Sequence, residues 1–293
     1  MFSGLYTALI TPLKNNQIDY LSLEKIIENQ IAGGVDGLVP MGTTGESATM
    51  SFAEHQEIIE RVVQIVSGRV KVVAGTGANS TAEAIHLSQT AEKSGVDGVL
   101  LVNPYYNKPS QNGLIAHFEK IAKSISVPII LYNIPGRTAI NFTPESIAEL
   151  LERVENVKAV KEASGDINQM MRLYELVSHK INLLSGDDNL LLPVLSIGGK
   201  GVISVLANIL PAEVKKVITL FETKKIAEAQ KAFYKLLPLC RGIFLETNPI
   251  PIKIAMELLG FCSSEMRLPL YPLEDKNKII LKNLMLEYGI LKK

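Results

Sequence analysis

Along most of the chain, short runs rich in β-branched apolar residues alternate with longer segments whose apolar residues recur at helical spacing. The short runs predict eight strands, at residues 5–10, 37–40, 70–74, 98–102, 128–132, 157–161, 181–184 and 201–205. The segments between them open with helix-start chemistry. Ser51-Phe-Ala-Glu54 and Ser80-Thr-Ala-Glu83 both read as capping boxes, in which the serine and the glutamate three residues later satisfy each other's backbone amides. Thr143-Pro144-Glu145 reads as an N-cap followed by proline at the first helical position. Each helix therefore begins where a strand has just ended.

An internal echo supports this alternation. Gly33-Gly34-Val-Asp-Gly37-Leu recurs as Ser94-Gly95-Val-Asp-Gly98-Val, each time closing a helix with a glycine that can turn left-handed and opening a strand. The two copies are two βα units of about 30 residues apart. Eight strands alternating with helices imply an α/β fold with a parallel sheet, closed as a (β/α)8 barrel or open and doubly wound. The count of eight favours closure, and no GxGxxG follows the first strand. Gly75-Thr-Gly77-Ala-Asn-Ser80 comes closest, but it lacks the third glycine and follows the third strand, so it reads as a helix-entry turn. From residue 225 the pattern becomes purely helical, at 226–237, 252–259 and 277–288. The expected organisation is a catalytic barrel over residues 1–224 and a C-terminal helical extension over 225–293, the extension serving packing or assembly.

Composition narrows the function classes. Thirty Lys and Arg balance 30 Asp and Glu, which argues against a nucleic-acid partner or a polybasic membrane surface. Cys240 and Cys262 are too few for a disulfide framework, and no CxxC pair suggests zinc. No basic leader segment opens the sequence, and no run approaches the ~20 apolar residues of a membrane span. A cytoplasmic enzyme is expected. The histidines, His55, His86, His117 and His179, show no HExxH spacing, so no metal site is expected.

In a closed barrel the active site lies at the carboxyl ends of the strands. Thr43 and Thr44, Tyr105 and Tyr106, Tyr132 and Arg137, Lys161, Gly186 and Asp187, and Ile203 and Ser204 fall at or near those ends. Lys161 stands out. In Val157-Lys-Ala-Val-Lys161 a period of two puts Val157, Ala159 and Lys161 on one face. A lysine pointing into the barrel near its rim is desolvated, which lowers its pKa and supplies a neutral amine for attack on a carbonyl. The residues equally allow a buried cation paired with Glu162 or Asp187, and Tyr132 by itself is compatible with a packed core tyrosine.

Five segments together resemble the dihydrodipicolinate synthase family: Gly42-Thr-Thr-Gly-Glu46-Ser, Tyr132-Asn-Ile-Pro-Gly-Arg137-Thr, Val160-Lys161-Glu-Ala-Ser164-Gly, Leu184-Ser-Gly-Asp187-Asp and Asn248-Pro-Ile-Pro-Ile-Lys253. The likeness begins at Gly4-Leu-Tyr-Thr-Ala-Leu-Ile-Thr-Pro12 and covers more than four fifths of the chain. It implies a TIM barrel and a cofactor-free class I lyase on the path to diaminopimelate and lysine, in which Lys161 forms a Schiff base with pyruvate and the enamine attacks L-aspartate 4-semialdehyde. It further implies that Tyr132, Thr43 and Tyr106 relay protons, that Thr44 binds the pyruvate carboxylate, and that Arg137 binds the carboxylate of the second substrate. The backbones of Gly186 and Ile203 are implied to shape the lysine pocket.

The wider family includes N-acetylneuraminate lyases and 2-keto-3-deoxy-acid aldolases, so Lys161 alone names only a pyruvate-type lyase, and Arg137 is the more selective residue. An aldolase acting on a polyol aldehyde and a catalytically silent barrel are the competing readings. The resemblance also implies a homo-oligomer, a tetramer built as a dimer of dimers, with Tyr106 reaching into the neighbouring site. Some members are inhibited by L-lysine at the dimer interface through residues matching Ser47, Ala48, His55, Asn79, Glu83 and Tyr105. Some of these carry a histidine where this chain has Phe52. On the residues alone, Glu83 could merely complete the capping box with Ser80, and His55 could be a surface helix residue.

Overall fold

The computed structural model describes residues 2–292. Eight parallel strands close into a barrel: Gly4–Ala8, Gly37–Val39, Lys71–Gly75, Gly98–Val102, Ile129–Asn133, Val157–Glu162, Asn182–Ser185 and Gly201–Ser204. Each pairs with the next in sequence, and the eighth returns to the first through Gly4 opposite Gly201 and Thr7 opposite Ser204. Closure leaves no free edge, so every strand is covered on both sides. Leu5, Leu38, Val73, Val99, Leu101, Ile130, Ala159, Leu184 and Val202 are fully buried, as expected for near-continuous apolar strands of a parallel barrel.

The helices form the outer layer. Ser51 caps Phe52–Val66 as a complete capping box: its hydroxyl accepts the Glu54 amide, and the Glu54 carboxylate accepts the Ser51 amide. The matching spacing at Ser80 does not yield the same motif. Ser80 accepts the Glu83 amide at the start of Thr81–Lys93, but the Glu83 carboxylate does not return to the Ser80 amide. Thr143 caps Pro144–Leu151 with proline in its first turn, as predicted. In the two echoed junctions the left-handed residues are Gly34, at φ +77°, and Gly95, at φ +84°. A side chain at either position would be strained.

A short hairpin follows the first strand, pairing Leu13–Lys14 with Gln17–Ile18. The sequence reading did not anticipate it. Asn15 and Asn16 make its turn with φ of 54° and 60°, the doubly left-handed backbone of a type I′ connection, which asparagine tolerates best among residues with a Cβ.

Beyond the eighth barrel helix, Pro211–Glu222, three more helices span Ile226–Gly242, Ile250–Leu258 and Asp275–Tyr288. The first continues through Pro238, past the predicted end at 237, because Leu239 and Cys240 beyond the proline are buried on its packed face. Phe233, Leu236, Leu239, Ile243, Leu281 and Met285 join the same apolar core as the barrel. Among the described residues no helix is long and apolar enough to cross a membrane, both cysteines are free, and no cluster of metal-ligating side chains forms.

Candidate active site

Lys161 sits near the carboxyl end of the sixth strand, directly opposite Tyr132 on the fifth. The register between these strands shifts between Ile129 and Ile130, so that Ile129 faces Val157 but Ile130 faces Ala159. Lys158 is the extra residue of this irregularity, half-buried on the outer side. The Lys161 side chain is 5% exposed, and its Nζ lies 4.0 Å from the centroid of the Tyr132 ring. Ala159 and Lys161 share a face as expected from sequence, level with Ile130 and Tyr132, but the shift takes Val157, level with Ile129, out of that alternation.

The burial has electrostatic consequences. Desolvation pulls the Lys161 ammonium down to about 8, with nearby Asp187 and Asp188 acting in the opposite direction and Arg137 adding to the fall. Glu162 is not its partner. That carboxylate points to the outer face, where it accepts from Asn133 Nδ2 at 3.0 Å and from the Ser164 amide at 2.8 Å. Asp187 acts on Lys161 as a nearby charge; no salt bridge joins them among the described residues. Asp188 is fixed by the Ser204 hydroxyl and the amides of Val205 and Leu206, which ties the seventh strand end to the eighth behind the lysine.

Tyr132 is also buried. Desolvation pushes its phenol above the ordinary range, while the charge of Arg137 and the nearby Thr43 side chain work against the rise. Gly186 leaves room for the amine: a Cβ there would meet Ala163 Cβ at 2.6 Å and Lys161 Cε at 3.3 Å. Ile203 is fully buried in the eighth strand.

A cleft of about 690 Å³ opens at this rim. Thr43, Tyr132 and Arg137 line it, and Lys161 packs behind Tyr132 at the same level of the barrel. Arg137 is exposed at the mouth rather than buried, and its Nη2 donates to the Asn248 carbonyl at 3.0 Å. Thr44 is 3% exposed, and its hydroxyl accepts from Asn248 Nδ2 at 3.0 Å. Asn248 thus joins Thr44 to Arg137. Its motif carries part of the family resemblance but gave no sign of a place in the site, and the C-terminal extension was expected to serve packing or assembly. Asn248 and Pro249 of that extension line the cleft.

The same cleft reaches residues expected to bind an effector. Ser47, Ala48, His55, Glu83 and Tyr105 line its other end. Asn79 supports that end, donating through Nδ2 to the Tyr105 carbonyl at 3.3 Å. His55 is 6% exposed and is driven below the usual imidazole range by burial, so it is not a surface residue. Tyr106 stands apart. It is 91% exposed, with φ of 72°, and lies outside the cleft of its own chain.

A closed parallel barrel with a desolvated lysine at its carboxyl rim, a phenol stacked on the amine and an arginine at the mouth defines a Schiff-base lyase of the TIM-barrel class. Comparison with known proteins narrows this class. The profile of the Dihydrodipicolinate synthetase family matches residues 1–287. The 4-hydroxy-tetrahydrodipicolinate synthase of Endomicrobium trichonymphae is 53% identical over 292 residues, covering 100% of both chains. Two solved structures superpose closely. The chloride-inhibited dihydrodipicolinate synthase of Acinetobacter baumannii, complexed with pyruvate, gives a TM-score of 0.97 at 38% identity, covering 99% of this chain and 100% of that one. The enzyme of Cyanidioschyzon merolae with lysine bound gives 0.96 at 40% identity, covering 99% of each. The chain belongs to the dihydrodipicolinate synthase family.

Proposed function

We propose that this barrel joins pyruvate to L-aspartate 4-semialdehyde. The activity is that of a 4-hydroxy-tetrahydrodipicolinate synthase, a lyase acting through a Schiff base. The observation that carries the assignment of roles is the buried amine of Lys161 against Tyr132. In this reading the Nζ lone pair adds to the keto carbon of pyruvate and water leaves, giving an imine. Loss of a methyl proton yields the enamine, whose carbon attacks the aldehyde to form the new C–C bond. The amine of the second substrate then displaces Lys161 from the former keto carbon, closing the ring and freeing the lysine. The iminium nitrogen is the electron sink, so the carbanion equivalent forms without a cofactor.

Tyr132, with Thr43 beside it in the cleft, is the group that moves protons. A neutral phenol next to the amine can donate to the departing hydroxyl and recover the proton later. Thr44 and its amide take the pyruvate carboxylate, with Gly186 and Ile203 shaping the lysine pocket. Arg137 at the mouth takes the carboxylate of the semialdehyde, which distinguishes this reading from an aldolase acting on an uncharged polyol aldehyde. Tyr106 completes the relay in a second copy of the chain, in a tetramer formed as a dimer of dimers. L-lysine is an inhibitor bound at the Glu83 end of the cleft.

Treatment with pyruvate and borohydride tests the central step. Reduction should freeze the imine as a secondary amine on Lys161, seen by peptide mass mapping together with loss of activity. Modification elsewhere, or none, would overturn the assignment. Turnover with aspartate semialdehyde but not glyceraldehyde separates the synthase from the aldolase, and turnover of neither identifies a silent barrel.

A further inference from the structure

The turn that carries Thr43 and Thr44 is held from the far end of the chain. Glu46 follows it with φ of 57° and ψ of 32°, a left-handed backbone that a glutamate adopts only when its surroundings impose it. Its side chain is fully buried beside an equally buried Lys253, on the helix Ile250–Leu258 of the C-terminal extension. Lys253 Nζ donates to Glu46 Oε1 at 2.5 Å and to the Thr11 carbonyl at 3.0 Å. The other oxygen, Oε2, accepts the Arg267 amide at 3.2 Å. The Thr11 hydroxyl donates to the Gly45 carbonyl at 2.7 Å. One ammonium thus fixes both the side chain of Glu46 and, through Thr11, the segment after the first strand that grips the preceding peptide.

We propose that Lys253 is a positioning residue for the reaction: its buried ion pair with Glu46 holds the Thr43–Gly45 turn in the conformation that receives the pyruvate carboxylate. Stability alone is a poor reason for such a pair. Burying two charges costs desolvation that their attraction barely offsets, and apolar replacements of similar volume are often neutral or better. What the pair supplies is direction. It pins a strained residue two positions after Thr44, whose hydroxyl is itself bonded to Asn248 five residues before Lys253.

The inference rests on the reading of Thr43 and Thr44 as pyruvate-binding residues, and the experiment separates the two. Borohydride trapping of pyruvate on Lys161 in the parent protein tests that reading by itself. The double variant Glu46→Gln with Lys253→Met removes both charges together, so neither is left buried alone; Glu46→Gln alone, which keeps the shape, is the second variant. Each is measured for melting temperature, pyruvate KM, kcat and trapping on Lys161. The expected result is a folded protein whose pyruvate KM rises about tenfold, with kcat and trapping at saturating pyruvate much less affected, because displacing a binding group by a fraction of an ångström weakens substrate positioning by such factors. A folded variant with the parent pyruvate KM overturns the proposal. So does failure of both variants to fold, which would make the pair a requirement of the core rather than of the site.

Discussion

Tyr132 and Lys161 face each other across adjacent strands, and the lysine Nζ lies 4.0 Å from the centroid of the tyrosine ring. The contact places a cation over a π-face when the amine is protonated and a proton donor beside a nucleophile when it is not. Burial favours the second state for the lysine and the protonated state for the phenol.

A pH dependence follows. With the Lys161 ammonium brought down to about 8, about one amine in ten is neutral at pH 7, and the neutral fraction rises roughly tenfold per pH unit below 8. The rate of pyruvate trapping in single turnover should climb from pH 6 to 8 and level off above. Asp187→Asn removes a charge that holds the proton on, so it should move the midpoint to lower pH. A flat profile across pH 6–8 would contradict a lysine shifted by burial.

Arg137→Ala should weaken aspartate semialdehyde far more than pyruvate. Because the guanidinium is exposed at the mouth and already bonded to the Asn248 carbonyl, the loss should be that of a charge-assisted hydrogen bond, about 1.5–3 kcal/mol, and not that of a buried ion pair. The check is the ratio of kcat/KM for the two substrates. Lysine at this position should restore part of the loss, since it supplies the charge without the planar fork. Equal losses for both substrates would remove Arg137 from the second subsite.

Tyr106 offers a phenol to solvent on a left-handed turn, an arrangement with a use when a second copy covers it. The protein should sediment as an oligomer, and activity should fall on dilution to monomer. Tyr106→Phe should lower kcat with little change in pyruvate KM. A fully active monomer, or a fully active Tyr106→Phe protein, would exclude the residue from the relay.

Glu83 does not spend its carboxylate on the Ser80 cap and lines the cleft instead. It is therefore available to an α-ammonium group. L-lysine at roughly millimolar concentration, equivalent to about 4 kcal/mol of binding, should lower the initial rate at fixed pyruvate. Glu83→Gln should raise the concentration needed while sparing kcat. The parent enzyme's indifference to lysine well above that range would make this end of the cleft a vestige.

The order of elements and the inward direction of the key side chain are legible in local pattern alone. Eight β-branched runs separated by capped amphipathic segments admit few arrangements, because parallel strands need crossover helices and buried strands need cover. A period of two was enough to point Lys161 inward, since Ala159 on the same face belongs in a core. The local rules then reached their limit. Ser51 and Ser80 carry the same spacing to a glutamate, yet Glu54 closes its box and Glu83 does not; a bond worth about 1 kcal/mol is too weak for spacing alone to dictate. Lys158 gave no sign of the register shift that brings Lys161 level with Tyr132. Asn248 meets Thr44 across 204 positions of sequence, and Lys253 meets Glu46 across 207. Only the closed barrel, with the C-terminal helices packed against its rim, brings such residues within hydrogen-bond distance, because pairings that distant are set by the packing of whole elements and not by any local preference of the chain.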